Sequence, residues 1–549
     1  MKVIYEKGND NFMKKILTTL LIVVFIFMVT SCDMNQNGKY LVEFITNTDS
    51  KITNQIVEKN EKIKKPIDPV KEGYILEGWY VGQDKWNFDV DVVTTNIKLE
   101  AKWKKEINYD YNTSVEIEFW HRLWVTNPQT AFLQSAIESF QNIYPNIKVN
   151  ESFYVTYDEL NDAIEQGLEN GKLPTVIETN SNNIAKFLDK NLISNLEDYI
   201  DSVTLITKKD ETKEMVGLTT EEQNQYIKGF MDECRSFDSQ NNLYALPFSK
   251  STEVLYYNKT MFDKYGWSVP KTWDDVANIS EKFRQTTECA TLKNDGKAVA
   301  GFSYDSESNL FITLTQQWGG EYTKFDKNSK GVYAFNNNES KAAIRWYKEQ
   351  SDKGNLKTTT FFGTNYSSDA FKAGQIVMTL GSSAGASYNV PSDGSFEVGV
   401  AAYPQKDLNN PQVIQQGTNV TLFKRQDAQE ELAGWLFMKF LTNYESALDW
   451  CTSTSYFPIR KDVLNSDDYQ NHISGKMVDG DGNIIYKPTT QNLAQKVGLE
   501  QQDWFYTSIA FRGSSKARDE VATLVQSVLY QNVDIDKAYS DTIDAILYS

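Results

Sequence analysis

Apolar and polar positions repeat with two different periods along this chain, and the change of period marks its parts. From Tyr40 to Trp103 the period is two. Leu41, Val42 and Phe44 open the segment, Pro66 and Pro69 interrupt it, and Ile97, Leu99 and Ala101 alternate with polar residues at its end. This pattern predicts a small all-β module over residues 40–103. Residues 104–114, KKEINYDYNTS, are charged and polar and predict a linker. From Val115 onward strands and helices alternate. Val115, Ile117 and Phe119 interleave with Glu116 and Glu118 as a half-buried strand does. Leu133, Ala136, Ile137 and Phe140 share one helical face, which Tyr144-Pro145 ends. Ile147 and Val149 begin a second strand, residues 158–168 predict a helix, and residues 175–177 a third strand. Apolar helical stripes return at Trp273, Val276, Ile279 and Phe283, and again at Val521, Leu524, Val525 and Val528. A pattern of this kind sustained over residues 115–549 predicts an α/β fold of two lobes rather than one sheet.

The stretch LPFSKSTEVLYYN lies near the middle of that pattern. Residues 247–251 read as a hydroxyl-rich loop and residues 252–257 as a buried strand of β-branched and aromatic residues. A segment of this type is expected to cross from one lobe to the other, with a ligand cleft beside it. Further crossings are expected near residues 400–403 and 452–456. Lobe one then holds residues of about 115–250 and 404–451, and lobe two about 251–403 and 452–549.

Composition and charge narrow the function. The 549 residues suffice for two or three domains with large cores. A net charge of −18 speaks against a nucleic-acid partner. With two histidines and four cysteines, no cluster has metal-ligand spacing, and no cofactor is expected. The 30 tyrosines and 12 tryptophans suit stacking on sugar-like ligands. At the N-terminus, Lys14-Lys15, an apolar run over residues 16–29 and the small residues before Cys32 predict a secretory signal over residues 1–32. Met13 is the expected start, and the apolar run is short for a membrane span. Cys234, Cys289 and Cys451 remain, enough for one disulfide at most.

Particular motifs resemble known families. Val29-Thr30-Ser31-Cys32 resembles a bacterial lipobox, which implies lipid attachment at Cys32 and anchoring to the extracellular face of the cell membrane. Gly73-Tyr74, Gly78-Trp79-Tyr80, Trp86-Asn87-Phe88 and Trp103 resemble the Listeria–Bacteroides (internalin B-type) repeat, a β-grasp-like module, although Asn47-Thr48-Asp49 replaces the usual Asn-Gly-Gly turn. A spacer or surface-interaction role follows for it. Phe119-Trp120-His121, Tyr144-Pro145-Asn146, Pro270-Lys271-Thr272-Trp273 and Tyr456-Phe457-Pro458, with LPF and LYYNK between, resemble family 1 extracellular solute-binding proteins of ABC importers. That resemblance implies a two-lobed periplasmic-binding-protein-like fold with discontinuous lobes, a small-molecule ligand, ABC permease partners and a monomer.

Within that family the chain looks most like the sn-glycerol-3-phosphate-binding branch. The resemblance implies that Tyr157, Glu178, Ser251, Ser383, Gly417, Tyr456 and Arg512 meet the ligand. Ser382 or Ser387 are alternatives to Ser383, and Arg518 follows Arg512 in the same segment. An arginine fork and hydroxyls suit a phosphate, and a carboxylate suits vicinal hydroxyls. Trp120 and Trp318 are candidate aromatic platforms, each with packing as its alternative role. Glycerol-3-phosphate or a glycerophosphodiester is the implied ligand, with a sugar or oligosaccharide as the second reading. An enzyme is not expected. Glycoside hydrolysis needs paired carboxylates; Glu178 has no evident partner in these segments, and Glu253 falls inside a strand.

Overall fold

The computed structural model describes residues 38–123, 127–328 and 330–547, so the signal segment and Cys32 lie outside the described residues. The chain divides into two compact units, Met1–Glu106 and Ile107–Ser549. Residues 104–114 are not a free linker. Lys104 and Lys105 pair with the strand Tyr74–Val81 of the first unit, and Ile107 is buried in the core of the second.

In the first unit five strands form a sheet in the order Gln55–Glu58, Lys39–Ile45, Ile97–Lys105, Tyr74–Val81, Asp84–Lys85. Lys39–Ile45 and Ile97–Lys105 run parallel, and the other pairs are antiparallel. The period of two gives the sheet one buried face, where Val42, Phe44, Leu99 and Ala101 close over Trp79. Phe44 meets the Trp79 ring edge-on at 5.2 Å.

In the second unit Val115–His121 buries alternate residues and lies between Ile147–Phe153 and Val176–Thr179, parallel to both. The crossover helices are Asn127–Ile143 and Tyr157–Asn170. Thr156 and Glu159 form a capping box on the second, and Gly171 ends it in the left-handed region, φ 68°. Its stop lets the chain re-enter the sheet and brings Glu178 to the carboxyl end of a strand. The second lobe is built on Phe302–Tyr304, parallel to Leu356–Thr358 and Met378–Ser382. Helices Trp273–Arg284 and Ser514–Tyr530 contribute to its core.

The strand Leu246–Asn258 belongs to both lobes. Leu246–Thr252 pairs with Val413–Leu422, through a bulge between Pro247 and Lys250. Glu253–Tyr257 pairs instead with Met378–Ser382 on one edge, and Leu255–Asn258 with Val398–Ala401 on the other. Residues 247–251 are therefore strand, not loop. Their polar side chains tolerate burial because distant groups satisfy them: the Lys250 ammonium, fully buried, lies 2.6 Å from the Glu233 carboxylate. The return crossing is Val413–Leu422 rather than residues 400–403. Val413–Ile414 pairs with Phe505–Tyr506, whereas Asn419–Leu422 pairs with Val176–Thr179. The last crossing also comes later than residue 452. Phe457, Val463 and Tyr469 still pack in the first lobe's core, and Ala494 packs against Val254 and Tyr256 of the second. Cys234, Cys289 and Cys451 are buried and free.

Candidate ligand-binding site

Two cavities open beside the crossing strands. The smaller, of about 560 Å³, is lined mostly by residues with polar side chains. Arg122, Tyr157 and residues 180–183 come from the first lobe, Gln415 to Gly417 from the return crossing, and Asn309, Arg518 and Asp519 from the second lobe. The larger, of about 1000 Å³, is lined by Tyr366, Ser382, Tyr388, Tyr456 and His472 among others.

Strand ends position these groups. Val115–His121 delivers Arg122 directly after it, and Val176–Thr179 delivers Asn180, which caps the helix Ser181–Asp189. Ligands of open α/β sheets bind beyond the carboxyl ends of strands. Glu178 is buried there and accepts the Arg122 backbone N–H at 2.9 Å. Burial pushes its carboxyl above the usual range, against the Thr418 hydroxyl and the Arg122 amide and guanidinium. The Arg122 guanidinium lies 3.9 Å from the centre of the Tyr157 ring and donates to the Val155 carbonyl at 3.3 and 3.0 Å. Burial, then the Glu178 charge, pushes the Tyr157 hydroxyl up to about 12. The Tyr456 ring stacks on Trp450, and its hydroxyl is also pushed well up, first by burial and then by Glu178, Tyr157 and Tyr388. Glu178 thus acts on both Tyr157, which lines the smaller cavity, and Tyr456, which lines the larger.

The other candidates lie elsewhere. Ser251 is 3% exposed and accepts a hydrogen bond from the Ser382 hydroxyl at 3.4 Å. The Ser383 hydroxyl accepts from the Thr252 N–H at 3.3 Å. Both tie the crossing strand to the second lobe and face neither cavity. Gly417 lines the smaller cavity, yet the structure demands glycine there for the backbone. Its φ is +112°, and a Cβ would stand 1.8 Å from the Ser249 carbonyl oxygen. Arg512 is 79% exposed and pairs with Asp189 at 3.3 Å. Arg518 faces the cavity instead. Trp120 leans on Tyr154 at 5.3 Å, and Trp318 on Trp346 at 5.7 Å with the Lys406 ammonium 5.0 Å from its ring. Neither tryptophan lines either cavity. His121 is buried in the first lobe, where it accepts the Leu123 N–H and burial pushes its pKa down to about 4.

Sequence reasoning missed Arg122, Asn309 and Tyr388. The signal for Arg122 was its place one residue beyond a strand's carboxyl end. Asn309 and Tyr388 carried none, because each reaches the cleft from a distant element.

Two lobes, joined by strands that belong to both and enclosing a polar cleft, define a two-lobed ligand-binding protein of the periplasmic type. The chain belongs to the bacterial extracellular solute-binding protein family, which matches residues 135–474, and residues 40–102 match the Listeria–Bacteroides repeat domain. The sn-glycerol-3-phosphate-binding periplasmic protein UgpB of Escherichia coli strain K12 is 24% identical over 358 residues, covering 63% of this chain and 74% of that protein. Its namesake in Shigella flexneri is 29% identical over 233 residues, 40% of this chain and 50% of its own. The crystal structure of UgpB from Mycobacterium tuberculosis in complex with glycerophosphocholine is similar at a TM-score of 0.61 and 17% identity, over 79% of this chain and 98% of that one. The GacH receptor of Streptomyces glaucescens is similar at a TM-score of 0.58 and 16% identity, over 79% and 99%. These structures share the two-lobed fold. No helix among the described residues is long and apolar enough to cross a membrane.

Proposed function

We propose that this chain is the substrate-binding lipoprotein of an ABC importer, anchored through Cys32, and that it captures glycerol-3-phosphate or a glycerophosphodiester between its lobes for delivery to the permease. The observation that carries the ligand reading is a pair of arginines on opposite lobes, Arg122 and Arg518, facing one cavity whose lining is otherwise mostly amides and hydroxyls, with the carboxylates of Asp158, Glu233 and Asp519 at the same wall. Two guanidinium groups supply charge-assisted donors to a phosphate, and the amides serve the hydroxyls of a glycerol unit. The net charge of −18 does not oppose this, because distant charges are screened beyond ~8 Å at physiological ionic strength. Closure of the lobes brings the two arginines onto one anion.

A neutral sugar is the second reading. The half-exposed rings of Tyr366 and Tyr388 at the larger cavity favour it, since such rings stack on pyranose faces. Titration calorimetry on the chain from Gly38 onward separates the two, with glycerol-3-phosphate, glycerophosphocholine and maltotriose as probes. The phosphate reading requires heat from the first or second probe. It also requires at least a tenfold loss in Arg518→Gln, from charged hydrogen bonds of about 1.5–3 kcal/mol, and no change in Arg512→Gln. Binding of maltotriose alone overturns it. The 40–103 module serves as a spacer in this reading, and its deletion leaves ligand affinity unchanged.

A further inference from the structure

We infer that Glu253 is a positioning residue for Arg518, acting through Asn309, and thereby sets the preference of the cleft for an anion; this rests on the phosphate reading above. Glu253 is on the crossing strand, 1% exposed, and lines neither cavity. Its Oε1 accepts from the Asn309 side-chain amide at 2.9 Å and from the Gln416 amide at 3.3 Å, and its Oε2 from the Tyr304 hydroxyl at 2.5 Å. The Asn309 carbonyl oxygen in turn accepts from Arg518 Nη2. Asn309 and Arg518 both face the smaller cavity.

An asparagine amide has one donor end and one acceptor end. An ionised Glu253 holds the donor end, so the acceptor end must face the guanidinium. A protonated Glu253 gains an O–H that competes with Arg518 for the Asn309 carbonyl oxygen, which weakens that orientation. The flipped amide would then present N–H groups to Arg518, which has no acceptor to receive them, and the guanidinium would leave its place on the cavity wall. Burial pushes the Glu253 carboxyl up to about 7, Asp305 adds to this, and the Tyr304 hydroxyl, the Asn309 amide and Arg518 oppose it. The hydroxyls of Tyr403 and Tyr506 complete the ionisable groups that face it. Burial thus brings the Glu253 titration toward neutral pH, and the crossing strand shared by the lobes is tied through Asn309 to the cation on the cavity wall.

The sign of one substitution decides the matter. A bare carboxylate near an anion repels it, so on electrostatics alone Glu253→Gln tightens phosphate binding. Positioning predicts the reverse, a loss of about tenfold at pH 8, the scale of one charged hydrogen bond. The probe is glycerophosphocholine, a phosphodiester whose phosphate keeps one charge between pH 6 and 8. Wild-type affinity, read by calorimetry, falls as the pH drops from 8 to 6; in Glu253→Gln it is weak and flat. Asn309→Ala keeps the carboxylate and breaks the link, so it shows the same loss and the same flat profile even if Glu253→Gln does not fold. Wild-type affinity retained in Asn309→Ala, a gain in Glu253→Gln, or an unchanged pH profile overturns the inference. If the wild-type protein binds neither this diester nor glycerol-3-phosphate, the phosphate reading falls first and takes the inference with it.

Discussion

Replacing Gly417 by alanine should destabilise the binding unit by about 2–5 kcal/mol, and the size follows from two separate costs. The first is conformational. At φ +112° an L side chain sits in a region that costs on the order of 1–3 kcal/mol. The second is steric. The new Cβ would lie 1.8 Å from the Ser249 oxygen, 2.8 Å from the Ser249 carbonyl carbon and 2.9 Å from Lys250 Cα. All three are backbone atoms of the other crossing strand, so no rotamer change relieves the overlap. Relief requires the two strands to part where Lys250 opposes Gly417, at the expense of one or two pairing hydrogen bonds of about 1 kcal/mol each. Urea denaturation followed by tryptophan fluorescence measures the change, and a parallel titration with glycerol-3-phosphate measures binding. An unfolding free energy within about 0.5 kcal/mol of wild type would refute the reasoning. So would lost binding at unchanged stability, which would return Gly417 to the ligand.

Two further outcomes follow from buried charges. Lys250→Met leaves the Glu233 carboxylate buried without its ammonium partner and is expected to lower the unfolding free energy by about 3–5 kcal/mol. Adding Glu233→Leu should recover much of that loss in the same denaturation assay, whereas equal instability of the single and double variants would contradict the pairing. His121 gives a pH dependence. Its folded pKa of about 4 lies below the unfolded value of 6.5, so the unfolded chain takes up the proton first. Its contribution is fully present above pH 6.5 and is lost as the pH falls toward 4, reduced by the Glu151 carboxylate 3.3 Å from Nε2, which favours the imidazolium. His121→Gln should therefore lose less stability than wild type between pH 7 and 4.5; identical slopes would refute the assignment.

Local pattern made much of the architecture legible. Val115–His121 buries the residues that its alternation marks, and Trp79, Leu99 and Ala101 form the core that the period of two requires. The crossing strand was legible as a crossing, but its polar half was read as a loop. Hydroxyls and a lysine in a row signal a turn when only neighbours are considered. They are strand here because Glu233, Ser382 and Ser383 reach them from other parts of the chain. Partners that far away leave no trace in local periodicity. Ser251 and Ser383 face neither cavity for the same reason: their hydroxyls are engaged in joining the crossing strand to the second lobe.

The choice between Arg512 and Arg518 is different, because the chain did carry the deciding information. Motif resemblance favours Arg512, which stands beside Gly513. Helical phase favours Arg518. Gly513 caps the helix Ser514–Tyr530, so Arg512 lies before the first turn and projects from it into solvent. The apolar stripe Val521, Leu524, Val525, Val528, extended backward by threes and fours, passes through Ala517 and Ser514, both buried. Arg518 lies four residues after Ser514 and three before Val521, on the edge of that inward face. A cation at that edge is directed toward the interior and needs an acceptor there, which the Asn309 carbonyl provides. The arginine that faces the cleft was thus assigned by the period of the helix rather than by the letters around it.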